Sequence, residues 1–173
     1  GVERAPRAPG AGASRPVALA APAVEGVRGS GRGGALRGDA GHQSLDSETL
    51  AKVRREEARK AGEVIGVKYI TLDNHDGQLM PTYENRLQVI KLIREHKADM
   101  VIFHRPYDYH PDHRYTGTLV LDAAYMVTVP KILPEVRHLD KNPVFLYTAD
   151  DFVHPEPFIP DVCVAIDDVI EKK

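Results

Sequence analysis

The chain has 173 residues, enough for one domain with a real core, and its net charge of −2 excludes a global attraction to nucleic acid or to an anionic membrane. No apolar run is long enough to cross a bilayer, and a single cysteine, Cys163, excludes an internal disulfide and points to a reducing, cytoplasmic setting. The first residues lack the basic-then-apolar pattern of a secretory leader, and the chain does not begin with methionine, so an upstream segment could be absent from it.

The composition divides the chain into residues 1–38 and 39–173. In the first part Gly, Ala, Arg and Pro fill 28 of 38 positions, with six arginines against two glutamates and no lysine, aromatic, histidine or aspartate. Such a tract buries too little apolar surface to offset chain entropy, so it reads as disordered or poorly packed. Two other readings stay open: a basic arm for nucleic acid, and a misjoined or out-of-frame stretch, since these four residues are those of GC-rich codons. Its only candidate strand, 17–21, is weak.

From about Gly41 the sequence becomes ordinary globular protein. Residues 44–47 offer helix caps, and Leu50, Val53, Ala61, Val64 and Ile65 recur near helical spacing up to a stop at Gly66. Residues 67–72 read as a strand and 73–77 as a polar turn. Residues 83–96 predict a second helix, with Leu87, Ile90 and Ile93 inward. Residues 100–103 form a short apolar strand, and a third helix runs from 113 or 114 to about 127. Residues 143–147 and 162–166 read as two further strands, and Asp167 could cap a last helix. Strands alternating with helices predict an α/β fold with a mostly parallel sheet. Ligands in such sheets bind beyond the carboxyl ends of the strands. Polar clusters at 73–76, 104–113 and 148–154 follow three of those ends and would converge on one crevice.

The densest chemistry is His110-Pro111-Asp112-His113, after an apolar strand and at a helix start. One imidazole could hold a metal while the other remains free for proton transfer or oxyanion stabilisation, with Asp112 orienting it. A catalytic zinc takes about three protein ligands and acidifies bound water. The plainer reading is a capped helix with surface histidines, Asp112 being the cap. Arg54 and Glu57, three apart on the first helix, read as a solvated pair. Arg105 could reach the crevice or lie on the surface before Pro106. His75, His138 and His154 read as ordinary polar residues, Asp150 and Asp151 as a solvated acidic turn, and Cys163 as core.

Four features in this order resemble the LmbE/PIG-L superfamily over roughly residues 38–173: Gly38-Asp39-Ala40-Gly41-His42, Arg54-Arg55-Glu56-Glu57-Ala58, Asp76-Gly77, and the run from His104 to His113. These are zinc-dependent N-deacetylases of the N-acetylglucosaminyl-phosphatidylinositol de-N-acetylase type. The resemblance implies a Rossmann-like sheet with flanking helices. It implies His113 as a Zn2+ ligand, His110 as the group that assists oxyanion and leaving amine, Asp112 as its partner, and Arg54 as an arginine near the site. Family members carry Ala-His-Pro-Asp-Asp at the end of their first strand, giving two more zinc ligands and the general base. This chain has no such motif, so the first strand is expected to be atypical or missing and the sheet marginally stable. The family also continues through another helix after the position of Lys173, so the domain reads as truncated there.

The resemblance therefore implies a zinc-dependent amide hydrolase acting on an N-acetylglucosamine-like or other N-acyl substrate. Hydrolysis is expected to be weak or absent, because one histidine does not hold catalytic zinc tightly. His42, Asp39 or His75 could complete the site. The alternative is a non-catalytic sugar-binding or structural remnant. A phosphoesterase would want more carboxylates. The partner is a small N-acylated amino sugar, and self-association stays open.

Overall fold

The computed structural model describes residues 17–20, 32–64 and 68–168, with the backbone alone for 17–20 and 32–35. In chain order the elements are β1 (Val17–Ala20), β2 (Arg32–Leu36), α1 (Ser47–Val64), β3 (Thr71–Asn74), α2 (Tyr83–Glu95), β4 (Met100–Phe103), α3 (Pro111–Met126) and β5 (Val144–Tyr147). The five strands form one parallel sheet in the order β3-β2-β1-β4-β5. The order reverses at β1, which pairs with β2 through Ala18↔Arg32 and with β4 through Val17↔Val101. This is the Rossmann-like arrangement, and its switch point is where ligands enter such sheets.

The place expected to be atypical or missing is filled, by four residues of Val and Leu alternating with Ala. Two of the five strands come from the Gly/Ala/Pro/Arg-rich tract; its other residues outside 17–20 and 32–38 lie beyond the described residues. Gly and Ala are poor strand formers in isolation, so local propensity hides these elements. What makes them strands is the ladder of backbone bonds from neighbours on both sides, which needs no particular side chain.

The core lies between α2, α3 and the sheet. Val89, Ile90, Leu92 and Ile93 recur at helical spacing on α2, and Leu119, Val120 and Ala123 do so on α3; all are buried with Val101 and Phe103 of β4. Phe103 meets Phe145 edge-on at 6.2 Å, which ties β4 to β5. Thr82 caps α2 by accepting the Asn85 N–H. Near the other end of α2, Arg94 is buried and donates to the carbonyls of Met126, Val127, Val129, Ile132, Leu133 and Val136. One guanidinium thus gathers the end of α3 and the turns after it. Burial holds its pKa below the usual arginine value.

The strand expected at 67–72 begins later than its sequence pattern suggests, at Thr71, because pairing of Leu36 with Asn74 sets its register; residues 65–67 lie outside the described residues. α3 starts at Pro111, two or three residues earlier than expected, since proline fits the first helical turn. Residues 162–166 are not a strand: Val162 and Val164 are largely exposed, and no described strand pairs there. Their β-branched composition is a propensity without a partner. Cys163, expected in the core, is exposed for the same reason. Among the described residues no helix is long and apolar enough to cross a membrane.

Candidate metal and active site

β4 delivers the chain at Phe103 to the carboxyl edge of the sheet, and residues 104–110 cross it before α3 begins. His110 is the N-cap of α3: its Nδ1 accepts the N–H of Asp112 at 3.3 Å. A neutral His110 therefore carries its proton on Nε2, where it is a donor. Asp112 is thus not the cap. It sits in the first helical turn with no exposed surface, and its carboxylate accepts the N–H of Gly77 at 2.6 Å and of Leu79 at 3.3 Å. Its Oδ2 lies 3.8 Å from His110 Nδ1, beyond hydrogen-bond reach. Beside His110, Asp112 thus anchors the loop after β3. Gly77, at φ +78°, supplies the turn that points its N–H there.

His113, one turn into α3, is buried. Its Nδ1 meets Asp108 Oδ2 at 2.8 Å, while Asp108 Oδ1 accepts the His110 N–H at 2.8 Å. Asp108 thereby fixes one histidine through its ring and the other through its backbone. A carboxylate on Nδ1 leaves Nε2 of His113 as the lone pair, as in metal-ligating histidines whose other ring nitrogen donates to a carboxylate. The rings of His104 and His110 stack on His113 at 4.6 and 4.7 Å. His104, Asp108 and His113 offer ligand atoms within 4.8 Å of one another, so they could hold a metal ion. Two imidazoles and a carboxylate fit a divalent cation with a position left open. His104 and Asp108 both lie in the run flagged in the sequence, but neither stood out as a ligand there. The available signal was spacing: Asp108 falls five residues before His113, across a helix cap.

The expected substitutes are elsewhere. His42 Nδ1 accepts the N–H groups of Ser44 and Leu45 in a local turn. Asp39 and His75 bond to each other at 2.5 Å. Asp39 also accepts the Asp76 N–H, and Asp76 returns the favour to Gly38 and Ala40. This reciprocal clasp locks the loop after β2 to the loop after β3, and Gly77 passes the restraint to Asp112. Burial would raise the Asp39 carboxyl, but the Asp76 N–H and His75 outweigh it and hold it below the usual range. Beside the clasp lies a cavity of about 540 Å³ lined by Arg37, Asp39, Lys52, Arg55, Asp73 and His75. The stacked histidines do not line it, so the chemistry is placed by the donor set and not by this cavity.

Arg54 pairs with Glu57 at 2.9 Å, half exposed, as an i,i+3 pair. Its stem lies over Gly38, where an added Cβ would meet it at 3.1 Å. Among the described residues, Gly38, Asp76 and Gly77 link it to Asp112. Arg105 is buried, not a surface residue. It grips Asp150 with two bonds of 2.6 and 2.7 Å and donates to the carbonyls of Phe152 and Glu156. Asp150 is accordingly no solvated turn residue: the Arg105 guanidinium holds its carboxyl below the usual range against the effect of burial.

Comparison with known proteins identifies the family. The family profile described as "PIG-L: GlcNAc-PI de-N-acetylase" matches residues 34–124, more than half of the chain. The chain is 31% identical over 139 residues to the diacetylchitobiose deacetylase of Thermococcus kodakarensis, covering 75% of this chain and 49% of that protein. It superposes with a TM-score of 0.70 and 25% identity on an inhibitor-bound N,N'-diacetylchitobiose deacetylase from Pyrococcus horikoshii, covering 82% of this chain and 54% of that one. The 4-carboxy-2-hydroxymuconate hydratase GalB of Pseudomonas putida, at 19% identity and a TM-score of 0.69, covering 82% of this chain and 62% of that one, shares the fold. The chain thus spans about half the length of the deacetylases it matches. With its sheet order, its His110 and His113 at the head of α3 and its Asp76-Gly77 turn, it belongs to the PIG-L, or LmbE-like, family of de-N-acetylases.

Proposed function

We propose that this chain is a zinc-type amide hydrolase scaffold for a small N-acetylated amino sugar or related N-acyl substrate, with weak or no hydrolysis of its own. The observation that carries the reading is the pair of histidines at the head of α3, each with Nδ1 engaged and Nε2 left for chemistry. His113 would hold the metal through Nε2, with His104 the nearest second imidazole and Asp108 holding the ring in place. Zinc there would supply Lewis acidity toward the acyl carbonyl and toward water. His110, with its proton on Nε2, would donate a hydrogen bond to the carbonyl oxygen as it gains charge; protonating the departing amine would need the imidazolium, with Nδ1 released from the Asp112 N–H and protonated from water. Asp112 keeps the loop at Gly77–Leu79 against the site, and Arg54 stiffens the loop at Gly38. The free, exposed Cys163 suits a reducing, cytoplasmic setting.

Weakness follows from the residues after β1. That strand ends at Ala20, and the sequence continues Ala21-Pro22-Ala23-Val24. Aligned on the proline, the Ala-His-Pro-Asp-Asp motif of the resemblance meets Ala21, Ala23 and Val24, which offer no donor atom. The same three residues favour the second reading, a sugar-binding or structural remnant without chemistry.

Zinc per chain after dialysis, with acetate release from N-acetylglucosamine conjugates, tests the proposal on four proteins: the chain itself, H113A, the triple variant A21H/A23D/V24D, and that triple variant with H113A added. The expected results are little zinc and slow release from the chain itself. The triple variant should hold about one zinc and release acetate, and should lose both when H113A is added. A fully active unmodified chain, or a folded triple variant that stays free of zinc and inert, overturns it.

A further inference from the structure

The cavity beside the clasp has no part in the chemistry proposed above. It measures about 540 Å³, within the range of small-molecule sites, and lies between α1 and the carboxyl ends of β2 and β3. Three cations line it, Arg37, Lys52 and Arg55, against three carboxylates, Asp39, Glu48 and Asp73. The formal charges cancel, but the hydrogen bonds do not. Asp39 gives one oxygen to the Asp76 N–H and the other to His75. Asp73 takes Arg37 Nε at 2.6 Å and Arg55 Nη2 at 2.7 Å on Oδ1, and Arg37 Nη2 at 2.6 Å on Oδ2. Glu48 turns to Lys52 in an exposed pair. The cations keep unused donors: among the described residues, Arg55 and Lys52 each use a single N–H.

Asp73 is thus an oxyanion held by two arginines from separate elements. Its side chain is 67% exposed, so charge and not burial keeps it there. The two guanidiniums crowd onto one oxygen, Oδ1, because a planar carboxylate has no second pair of acceptors to offer. A tetrahedral dianion has an oxygen for each arginine and another for Lys52. The remaining nitrogen of Arg37, Nη1, donates to Nε2 of His75 at 3.3 Å, which joins the cavity to the clasp between the loops after β2 and β3.

We propose that this cavity binds the phosphate group of a small phosphomonoester, which takes the place of the Asp73 carboxylate on Arg37 and Arg55 and recruits Lys52. The body of the ester fills the rest of the space. The site is separate from the head of α3, whose stacked histidines do not line the cavity, and it does not depend on the hydrolase reading. Occupancy draws Arg37 toward the phosphate and away from His75, so the clasp senses the ligand.

The test is an NMR titration of the full chain at fixed pH and ionic strength with inorganic phosphate, glycerol 3-phosphate and succinate, for the unmodified chain, R55Q, K52Q, D73N and R59Q. These four side chains are at least half exposed, so the variants should fold as the parent does. The reporter is the His75 imidazole, assigned with H75Q. Phosphate should shift it saturably, with smaller shifts at His110 and His113. Glycerol 3-phosphate should bind more tightly than inorganic phosphate, and succinate more weakly than either. R55Q should weaken phosphate about tenfold, and K52Q less. R59Q, which removes a cation paired with Glu56 and Glu63 outside the cavity, should change nothing. D73N removes the competing carboxylate and should tighten phosphate about threefold, the worth of an exposed ion pair. No saturable shift at His75, a larger one at His110 or His113, weaker binding in D73N, or equal losses in R55Q and R59Q overturns the site. Succinate binding more tightly than phosphate overturns the ligand class. Glycerol 3-phosphate binding no better than inorganic phosphate overturns the ester and leaves free phosphate as the occupant.

Discussion

Replacing Asp108 by asparagine gives the sharpest test of how the site is held. Asp108 has two inward donors to satisfy: the His110 N–H on Oδ1 and the His113 ring N–H on Oδ2, both at 2.8 Å. Both lie in a setting where Asp108 and His113 are at least nine-tenths buried. Asparagine has the same shape but only one oxygen. In either rotamer its NH2 faces one of the two donors, and that donor loses its acceptor. An orphaned buried donor costs about 1–3 kcal/mol. Urea unfolding in EDTA, where no metal contributes, should show D108N less stable by about that amount, with a lower midpoint and an unchanged slope. D108A orphans both donors and should lose more. A D108N stability within about 0.5 kcal/mol of the parent, the usual scatter of harmless surface changes, would refute the two-donor account. In the zinc-restored A21H/A23D/V24D background the same substitution should weaken zinc by about 10–100-fold, the effect of losing a partner behind a ligand. Complete loss of zinc would make Asp108 a ligand instead.

Three further outcomes follow from the geometry. Arg94 makes six bonds to carbonyls through a planar fork, and lysine has neither the fork nor the donors, so R94K should cost about 2–4 kcal/mol in urea unfolding; a cost under about 1 kcal/mol would show the carbonyls satisfied by other donors. A Cβ on Gly117 would stand 2.7 Å from the His104 carbonyl oxygen, so G117A should destabilise by about 1–3 kcal/mol and push His104 from its stack on His113, visible as a shifted imidazole resonance. Asp150 has its carboxyl lowered in the folded state, so its contribution is whole above the unfolded value of about 4 and fades as pH falls below it toward the folded one. The parent should then lose stability more steeply than D150N on acidification below about pH 4, and parallel curves would sink the idea.

The sequence showed most of what local pattern can show. α2 and β4 stand where periodicity placed them, because amphipathic spacing and a bounded apolar run are local signals. β1 showed only as a weak candidate at 17–21 and β2 not at all, for the opposite reason: Val17–Ala20 and Arg32–Leu36 draw their identity from strands on either side. Residues 162–166 carry a strand's composition with nothing to pair against, so the same reasoning misleads there. At the site, residue type and spacing pointed to His110 and His113, but not to what each would touch. That Asp112 serves Gly77 and Leu79, some 35 residues away in the chain, and that Asp108 serves both histidines, are products of the fold. Arg105, open between crevice and surface, and Asp150, read as a solvated turn residue, were likewise not joined, since nothing local connects two residues 45 apart.

These connections bear on how a member of this family could keep its site and lose its chemistry. From Gly38 the bonds run through Asp76, Gly77 and Asp112 to the head of α3, and from Asp108 to both histidines. Arg105 extends the frame through Asp150 to Phe152. Every bond in this frame is made by residues at or after Gly38, and none of them needs a metal. The frame is therefore stable to the substitution of donor atoms in the segment after β1. The frame can thus persist while Ala21, Ala23 and Val24 differ from the Ala-His-Pro-Asp-Asp motif. Putting histidine and two aspartates at those three positions should then return zinc without disturbing the fold, because the receiving half of the site is already held in place by bonds that do not pass through it.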